Sequence, residues 1–474
     1  MSSPDSSTPT PAPIPALAPS PAAAVPAFVR SVGNRIREAG GRALLVGGCV
    51  RDLLLGSAPE EWDFEVFGLA APRLEELFPG RMDLVGKSFG IYHFRDLPID
   101  LGLPRRERCQ GPGHRDFAVA TDPHLPLAAA ARRRDFTVNA LYLDPLDGEL
   151  LDPVGGMGDL RGACLRAVSE QFSEDPLRVL RAMQLIARLD FSCDENTLSL
   201  CRSLSPQHLP RERIFGEFRK LLLRGRAMGR GLEFLRRCHW LRFFPELESL
   251  CHCPQNSLFH PEGNVWEHGK AAMDAFAAVR PKLEEDALVV GFAVLCHDLG
   301  KPICTVQDSA GQPRARGHER AGLEPATALL QRLGVPVRIV DGVLPLVTWH
   351  MAPRTFSDPG LGMAAVRRLA RSVGRLDRLL LLAHCDAWGR PPSVPDQSGE
   401  ERLRRLAEGE GLLRRPPTPL VRGRDLVEKF SLPPSPALGK ILTQLFEDQL
   451  DGKFSTREGG LALAERMVHA LVPP

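Results

Sequence analysis

The sequence predicts an α+β protein, a small mixed sheet at the N-terminal end followed by a long all-α body. Three observations predict it. Between residues 27 and 165 short apolar runs alternate with helical patterns. From about 166 to 474 the apolar period is almost wholly helical, interrupted by Pro and Gly. Residues 1 to 26 are dominated by Pro, Ala and Ser, show neither period, and are expected to form a disordered tail.

Within the first folded segment, Phe28 to Ala39 reads as a helix stopped by Gly40-Gly41. Leu44 to Val46, Trp62 to Phe67, Ile91 to Phe94 and Ile99 to Leu101 read as strands. In the body, Val289 to Cys296 is an apolar helix ending in His297-Asp298, and the chain past 400 turns charged and proline-rich, with Arg414-Arg415-Pro416-Pro417 as a linker. Leu438 to Gly452 and Glu458 to Leu471 read as closing amphipathic helices. No tandem repeat is visible.

Composition excludes some function classes. A net charge of +2 over 474 residues offers no global attraction to nucleic acid, so any RNA contact needs a local patch. The run Arg202 to Arg242, with Arg211, Arg213, Arg219, Lys220, Arg224, Arg226, Arg230, Arg236 and Arg237, is such a patch or else a solvated helical face. Eleven scattered cysteines, with no secretory signal and no membrane-length apolar run, place the chain in a reducing cytoplasm. Cys251-His252-Cys253 lacks the second spaced pair of a structural zinc site.

The chemistry concentrates first at Gly47-Gly48-Cys49-Val50-Arg51-Asp52, followed by Glu61-Trp62-Asp63-Phe64-Glu65. Paired glycines let backbone N–H groups approach phosphate oxygens. Along a strand Glu61, Asp63 and Glu65 share one face. A phosphate cradle beside clustered carboxylates suits magnesium-dependent phosphoryl or nucleotidyl transfer. Asp100 is either a third carboxylate at this site or a strand-end residue paired with Arg105 or Arg106.

Five ordered motifs resemble the class II tRNA nucleotidyltransferase and poly(A) polymerase family. They are Gly47-Gly48-x-Val50-Arg51-Asp52 with Glu61-x-Asp63, Arg133-Arg134-Asp135-Phe136-Thr137-Val138-Asn139-Ala140, Asp152-Pro153-Val154-Gly155-Gly156, Glu174-Asp175-Pro176-Leu177-Arg178-Val179-Leu180-Arg181, and Arg211-Glu212-Arg213-Ile214. The resemblance implies a nucleotidyltransferase head (27–165), a helical neck (166–240), a third domain (241–400) and a helical tail (401–474). It implies attack of an RNA 3′-hydroxyl on the α-phosphorus of an NTP, with two magnesium ions at Asp63 and Glu61; Asp100 stands beside them as a candidate further catalytic carboxylate. Nucleotide contacts would come from Gly48, Arg51, Arg134, Asp135 and Arg181. Asp175 and Arg178 would form a protein template choosing CTP and then ATP, Glu174 would orient Arg178, and Asn139 would brace the loop. The family pattern has Asp where this chain has Glu61, an extra methylene that moves the carboxylate by about 1.5 Å. Glu65 is a possible substitute. Where relatives carry a further arginine, this chain has Gln184.

A second series, His268, His297-Asp298, His318, His350 and Asp386, resembles the ligand set of HD phosphohydrolases. Mixed imidazole and carboxylate ligands suit Mn, Ni, Co, Fe or Zn. Val421-Arg422-Gly423-Arg424-Asp425-Leu426 resembles a segment near the end of bacterial CCA-adding enzymes. The resemblance therefore implies addition of CCA to tRNA from CTP and ATP, with an appended phosphohydrolase. Partial C or A addition, poly(A) synthesis, and a phosphodiesterase with a weakened transferase site remain the alternatives.

Overall fold

A computed structural model describes residues 21–85, 90–109, 117–431 and 435–471. The expected tail is thus described only from Pro21, and residues 1–20 lie outside the described set. The chain divides into two compact units between Phe243 and Phe244.

The first unit opens with α1 (Ala27–Glu38), β1 (Arg42–Val46), α2 (Gly48–Leu54), β2 (Trp62–Phe67), α3 (Ala71–Leu77), β3 (Met82–Val85), β4 (Ile91–Phe94) and β5 (Ile99–Gly102). A hairpin of β6 (Arg105–Cys109) and β7 (Phe117–Thr121) precedes α4 (Leu127–Ala131), β8 (Tyr142–Leu143), β9 (Leu150–Leu151) and α5 (Gly156–Arg161). Seven strands form one mixed sheet in the order β3-β4-β5-β2-β1-β8-β9. β2 and β5 are parallel, with Asp63 level with Asp100, while β1 runs antiparallel to both β2 and β8.

Burial along β2 alternates strictly: Trp62, Phe64 and Val66 are buried, and Asp63, Glu65 and Phe67 are partly exposed. That period is what a strand with one core face requires. The four strands read from the sequence are present, with β1 and β5 slightly longer. β8 and β9, two residues each, are too short to give an alternating signal.

Helices α6 (Leu177–Leu189), α7 (Glu195–Ser203), α8 (Arg211–Arg224) and α9 (Met228–Arg237) complete the unit. α6 is its central helix, with nine buried residues. It crosses α9 at Gly231, where an added Cβ would sit 2.6 Å from the Met183 carbonyl oxygen and 2.9 Å from Ala187 Cβ.

The second unit is helical. It contains α10 (Pro245–Glu248), α11 (Val265–Val279), α12 (Glu284–Cys296), α13 (Lys301–Cys304), α14 (His318–Ala321), α15 (Leu323–Arg332), α16 (Val337–Trp349), α17 (Ala352–Thr355), α18 (Met363–Val373), α19 (Leu376–Trp388) and α20 (Ser398–Gly409). α12 is the core: every residue from Ala287 to Cys296 is buried, against α11, α16 and α19. The sequence reading of no membrane-length apolar run needs correction. The stretch Glu284–Cys304 is long and apolar enough by composition, but 78% of its most apolar window is packed inside the unit. An apolar helix without an amphipathic face is what a helix enclosed on all sides requires.

The closing helices α21 (Gly423–Phe430), α22 (Pro436–Leu450) and α23 (Arg457–Leu471) have their own small core around Leu426, Ile441, Leu445 and Ala464. The expected boundary at 400 falls inside α20, which packs on α17, α18 and α19.

Gly231→Ala is expected to cost about 2 kcal/mol in urea unfolding, the usual penalty for overpacking. An unchanged midpoint would mean that α6 and α9 can separate without loss.

Candidate active site

The mixed sheet presents one polar face. Asp63 and Glu65 on β2 and Asp100 on β5 share it with Leu44 and Val46 of β1 and Tyr142 of β8, as the pairing of Leu44 with Glu65 and of Val46 with Tyr142 dictates. β1 leads into Gly47, whose φ of +84° is open to glycine at little cost. A Cβ at Gly47 would lie 3.6 Å from Asp63 Oδ2 and 3.5 Å from Arg134 Nη1, so the turn stands directly over the carboxylate.

Burial pushes the Asp63 carboxyl up to about 6; Arg134 opposes that shift, and Asp100 and Glu61 add to it. A cluster of carboxylates that repel one another in this way fits a cation. Glu61 is exposed and lies just before β2, outside its ladder. Asp100 is engaged by His93, Nδ1 to Oδ1 at 2.6 Å, and the side chain of Arg106 lies outside the described residues.

Two other expectations change. Glu65 is engaged by Arg134 Nη2 at 3.0 Å and by the Tyr142 hydroxyl at 2.9 Å, so it does not offer a free carboxylate in place of Glu61. Arg51 is buried and donates to Asp52 and to Asn139 Oδ1, within reach of Gly48 but turned inward. Asp52 in turn accepts from Arg188 at 2.7 Å.

Helix α6 delivers the next group. Asp135, 7% exposed, accepts from the Phe136 N–H, from Asn139 and from Arg181, whose Nε lies 2.8 Å away. Burial alone would raise its carboxyl, yet Arg181 and Asn139 outweigh that and hold it at about 2. Arg178 donates to the carbonyls of Gln171 and Arg133 at 2.7 and 2.8 Å and stacks near Phe172. Glu174 stands 3.5 Å from Arg133, so the two carbonyls, not Glu174, orient Arg178. Asp175 turns Oδ1 back to the Leu177 N–H and gives Oδ2 to Arg213 at 2.7 Å. That last contact joins the fourth and fifth motifs. Gln184 is buried.

Much of the basic run is engaged: Lys220 pairs with Glu217, Arg224 with Glu60, Arg230 with Asp190, and Arg236 with Glu233. Arg211 and Arg226 are exposed.

The second unit gathers all six residues of the other series. Their side chains are buried and form two groups, His268, His297 and Asp386, and Asp298, His318 and His350. Each histidine sets Nδ1 against a main-chain carbonyl: Gly389 for His268, Val294 for His297, Ala315 for His318 and Val347 for His350, at 2.7 to 3.0 Å. Carbonyls only accept, so Nδ1 is the donor in each contact and Nε2 turns inward. The Nε2 atoms of His268 and His297 are 3.3 Å apart, and those of His318 and His350 are 3.1 Å apart. Lone pairs facing at that distance fit metal ions between them, with the carbonyls as the outer shell.

Several supports were not visible in the motifs. Glu262 accepts from both His260 and His268, Lys301 pairs with Asp298 at 2.7 Å, and Arg390 pairs with Asp386. Gly300 has a steric reason: a Cβ there would meet the His318 carbonyl oxygen at 2.0 Å. His260, Asp298, Lys301, His318, His350, Asp386 and Arg390, with Arg314, Arg316, Arg354 and Phe259, line a cavity of about 490 Å³. Cys251 and Cys253 join no ligand group among the described residues, and the ten cysteines with described side chains are free.

Arg181→Met is expected to destabilise the protein by about 2 kcal/mol at pH 7, the cost of returning Asp135 to its ordinary range. Because the folded carboxyl lies below its unfolded value of 3.8, this contribution is full above pH 4 and fades as pH falls toward 2. A loss that persists unchanged at low pH would contradict the ion pair. In the second unit, Gly300→Ala is expected to lower the thermal unfolding midpoint, because the His318 carbonyl must shift; an unchanged midpoint would contradict the packing account.

Residues 43–166 match the family model described as the poly A polymerase head domain. Residues 190–251 match the one described as a probable RNA and SrmB-binding site of polymerase A. The chain is 36% identical over 366 residues to a multifunctional CCA protein of Laribacter hongkongensis, covering 75% of this chain and 87% of that protein. A multifunctional CCA protein of Stenotrophomonas maltophilia is 35% identical, with 74% and 82% covered. Among solved structures, the Bacillus stearothermophilus CCA-adding enzyme in complex with CTP superposes with a TM-score of 0.63 at 22% identity, covering 92% of this chain and 96% of that one. The Thermotoga maritima enzyme complexed with tRNA gives 0.56 at 18%, with 94% and 97% covered; both likenesses concern the fold. On the sequence relatives and the ordered motifs together, the chain belongs to the class II tRNA nucleotidyltransferase and poly(A) polymerase family, alongside the multifunctional CCA proteins.

Proposed function

We propose that this chain is a nucleotidyltransferase that adds CCA to the 3′ end of tRNA from CTP and ATP without a nucleic-acid template. The observation that carries the reading is the placement of Asp63 and Asp100, level on adjacent parallel strands, beneath the glycine turn and beside Arg134. Relatives named as CCA proteins favour tRNA over a poly(A) product.

Asp63 and Asp100, with Glu61 beside them, would hold magnesium, which when bound stabilises the attacking and leaving oxygens of an in-line displacement. The N–H groups after Gly47 and the Nη1 of Arg134 grip the triphosphate, so the α-phosphorus faces the incoming 3′-hydroxyl. The 3′-hydroxyl releases its proton to water as its oxygen bonds to that phosphorus and the bond to pyrophosphate breaks. Asp175 supplies an acceptor and Arg178 donors for the Watson–Crick edge of the base. Arg178 is already fixed by two carbonyls, which lowers the entropy lost when a nucleotide binds. Asp135 holds Arg181, and Arg51 with Asn139 braces the loop from below.

The second unit is read as a metal-dependent phosphohydrolase. His268, His297, Asp298, His318, His350 and Asp386 would hold transition-metal ions such as Mn, Ni, Co or Fe, which when bound supply an activated water. Lys301, Arg314, Arg354 and Arg390 in the same cavity bring positive charge for a phosphoester. Cytoplasmic placement, among tRNA and nucleoside triphosphates, belongs to the same reading.

Asp63→Ala is expected to lower nucleotide incorporation by about a thousandfold while tRNA binding persists, as for loss of one electrostatic contact to the transition state. Retained incorporation removes Asp63 from the reaction. Arg178→Ala is expected to let UTP and GTP compete with CTP in misincorporation assays; unchanged selectivity would contradict the template role. His297→Ala is expected to abolish hydrolysis of bis(p-nitrophenyl) phosphate with Mn2+ and leave CCA addition intact. Persistent hydrolysis would place that activity elsewhere.

A further inference from the structure

We infer that Glu65 and Tyr142 form a positioning clamp for Arg134, so that nucleotide affinity in the head depends on a phenol and a carboxylate that touch neither metal nor base. The inference rests on the nucleotidyltransferase reading of that site.

Arg134 has three nitrogens, and the geometry divides them. Nη2 donates to Glu65 Oε2 at 3.0 Å, and Nε donates to the Tyr142 hydroxyl at 3.3 Å. The Tyr142 hydroxyl donates its own proton to the same Glu65 oxygen at 2.9 Å, closing a three-membered network. Nη1 is left facing the glycine turn, 3.5 Å from where a Gly47 Cβ would be. The guanidinium carbon also lies 5.5 Å from the centroid of the Tyr142 ring, close enough for a cation–π contact.

The sheet explains why these side chains meet. Glu65 on β2 and Tyr142 on β8 flank β1 on the same face, one beside Leu44 and the other beside Val46. Tyr142 is fully buried and Glu65 nearly so, with 13% of its side chain exposed. Two residues from opposite sides of β1 thus hold a guanidinium above the strand that enters the phosphate turn. A guanidinium held at two nitrogens is kept from swinging toward Asp63, and its third nitrogen faces the turn, open to a phosphate oxygen. Without the clamp, Arg134 would fold onto the Asp63 carboxylate as a competing ion pair and would need to be displaced by each incoming triphosphate.

The clamp acts on substrate binding, so its signature lies in KM and in direct affinity. In the full chain, Tyr142→Phe is expected to raise the KM for CTP about tenfold with kcat nearly unchanged, the behaviour of lost uniform binding. CTP affinity by calorimetry without tRNA should fall by the same factor. Introduced into Arg134→Ala, the same change should have no further effect, because the residue it positions is gone. Glu65→Gln, which keeps an acceptor, should fall between wild type and Glu65→Ala. If Tyr142→Phe leaves CTP affinity unchanged, or weakens it equally with and without Arg134, the clamp is overturned even where wild type incorporates nucleotide. If wild type incorporates none, the nucleotidyltransferase reading fails instead, and the calorimetric comparison still decides the clamp.

Discussion

Two carboxylates on neighbouring parallel strands, whose backbones run about 4.8 Å apart, set the terms for the first unit. Asp63 and Asp100 stand level and repel one another, and Asp63 is also buried enough to be driven toward neutrality. The surrounding residues answer that imbalance with positive charge. Arg134 comes from the loop after α4, the amide groups of the Gly47 turn lie close by, and His93 engages the outer carboxylate. A sheet face built in this way favours a cation and a polyphosphate together, since each offsets the charge of the other.

Helix α6 ties that face to the rest of the unit through charge as well as packing. Arg181 meets Asp135, Arg188 meets Asp52, and Arg51 joins Asp52 to Asn139. Arg178, Arg181 and Arg188 come from one helix, three and seven residues apart, and Ala182, Met183, Ile186 and their neighbours on it are buried. Arg178 at the start of α6 therefore inherits its position in part from ion pairs further along the same helix. Asp175 is fixed from α8 by Arg213, so two sequence motifs separated by more than thirty residues meet in one contact.

Much of this was legible from spacing. The alternation of Trp62 to Phe67 placed Asp63 on the polar face, and the burial of Val289 to Cys296 follows from an apolar run without an amphipathic period. The same run shows how composition misleads, because a helix enclosed by helices and one enclosed by lipid share it. What spacing could not give is partnership across strands. Nothing in the sequence couples Tyr142 to Glu65, which are 77 residues apart, or Asp100 to His93. The inward turn of Arg51 was hidden for the same reason: its motif is a glycine turn, and its partners are Asp52 and Asn139. In the second unit the series of four histidines and two aspartates that come together was readable, whereas Glu262 and the carbonyls that fix each imidazole depend on helix ends meeting in space.

The most direct measurement offers tRNA transcripts ending at the discriminator base, at C and at CC to the full chain with magnesium and each labelled NTP in turn. The account predicts incorporation of C, C and then A, followed by a stop, and no incorporation when magnesium is removed by a chelator. Addition that stops at CC, begins only from CC, or continues past A would contradict CCA synthesis. No incorporation by folded protein would contradict the transferase reading of Asp63 and Asp100.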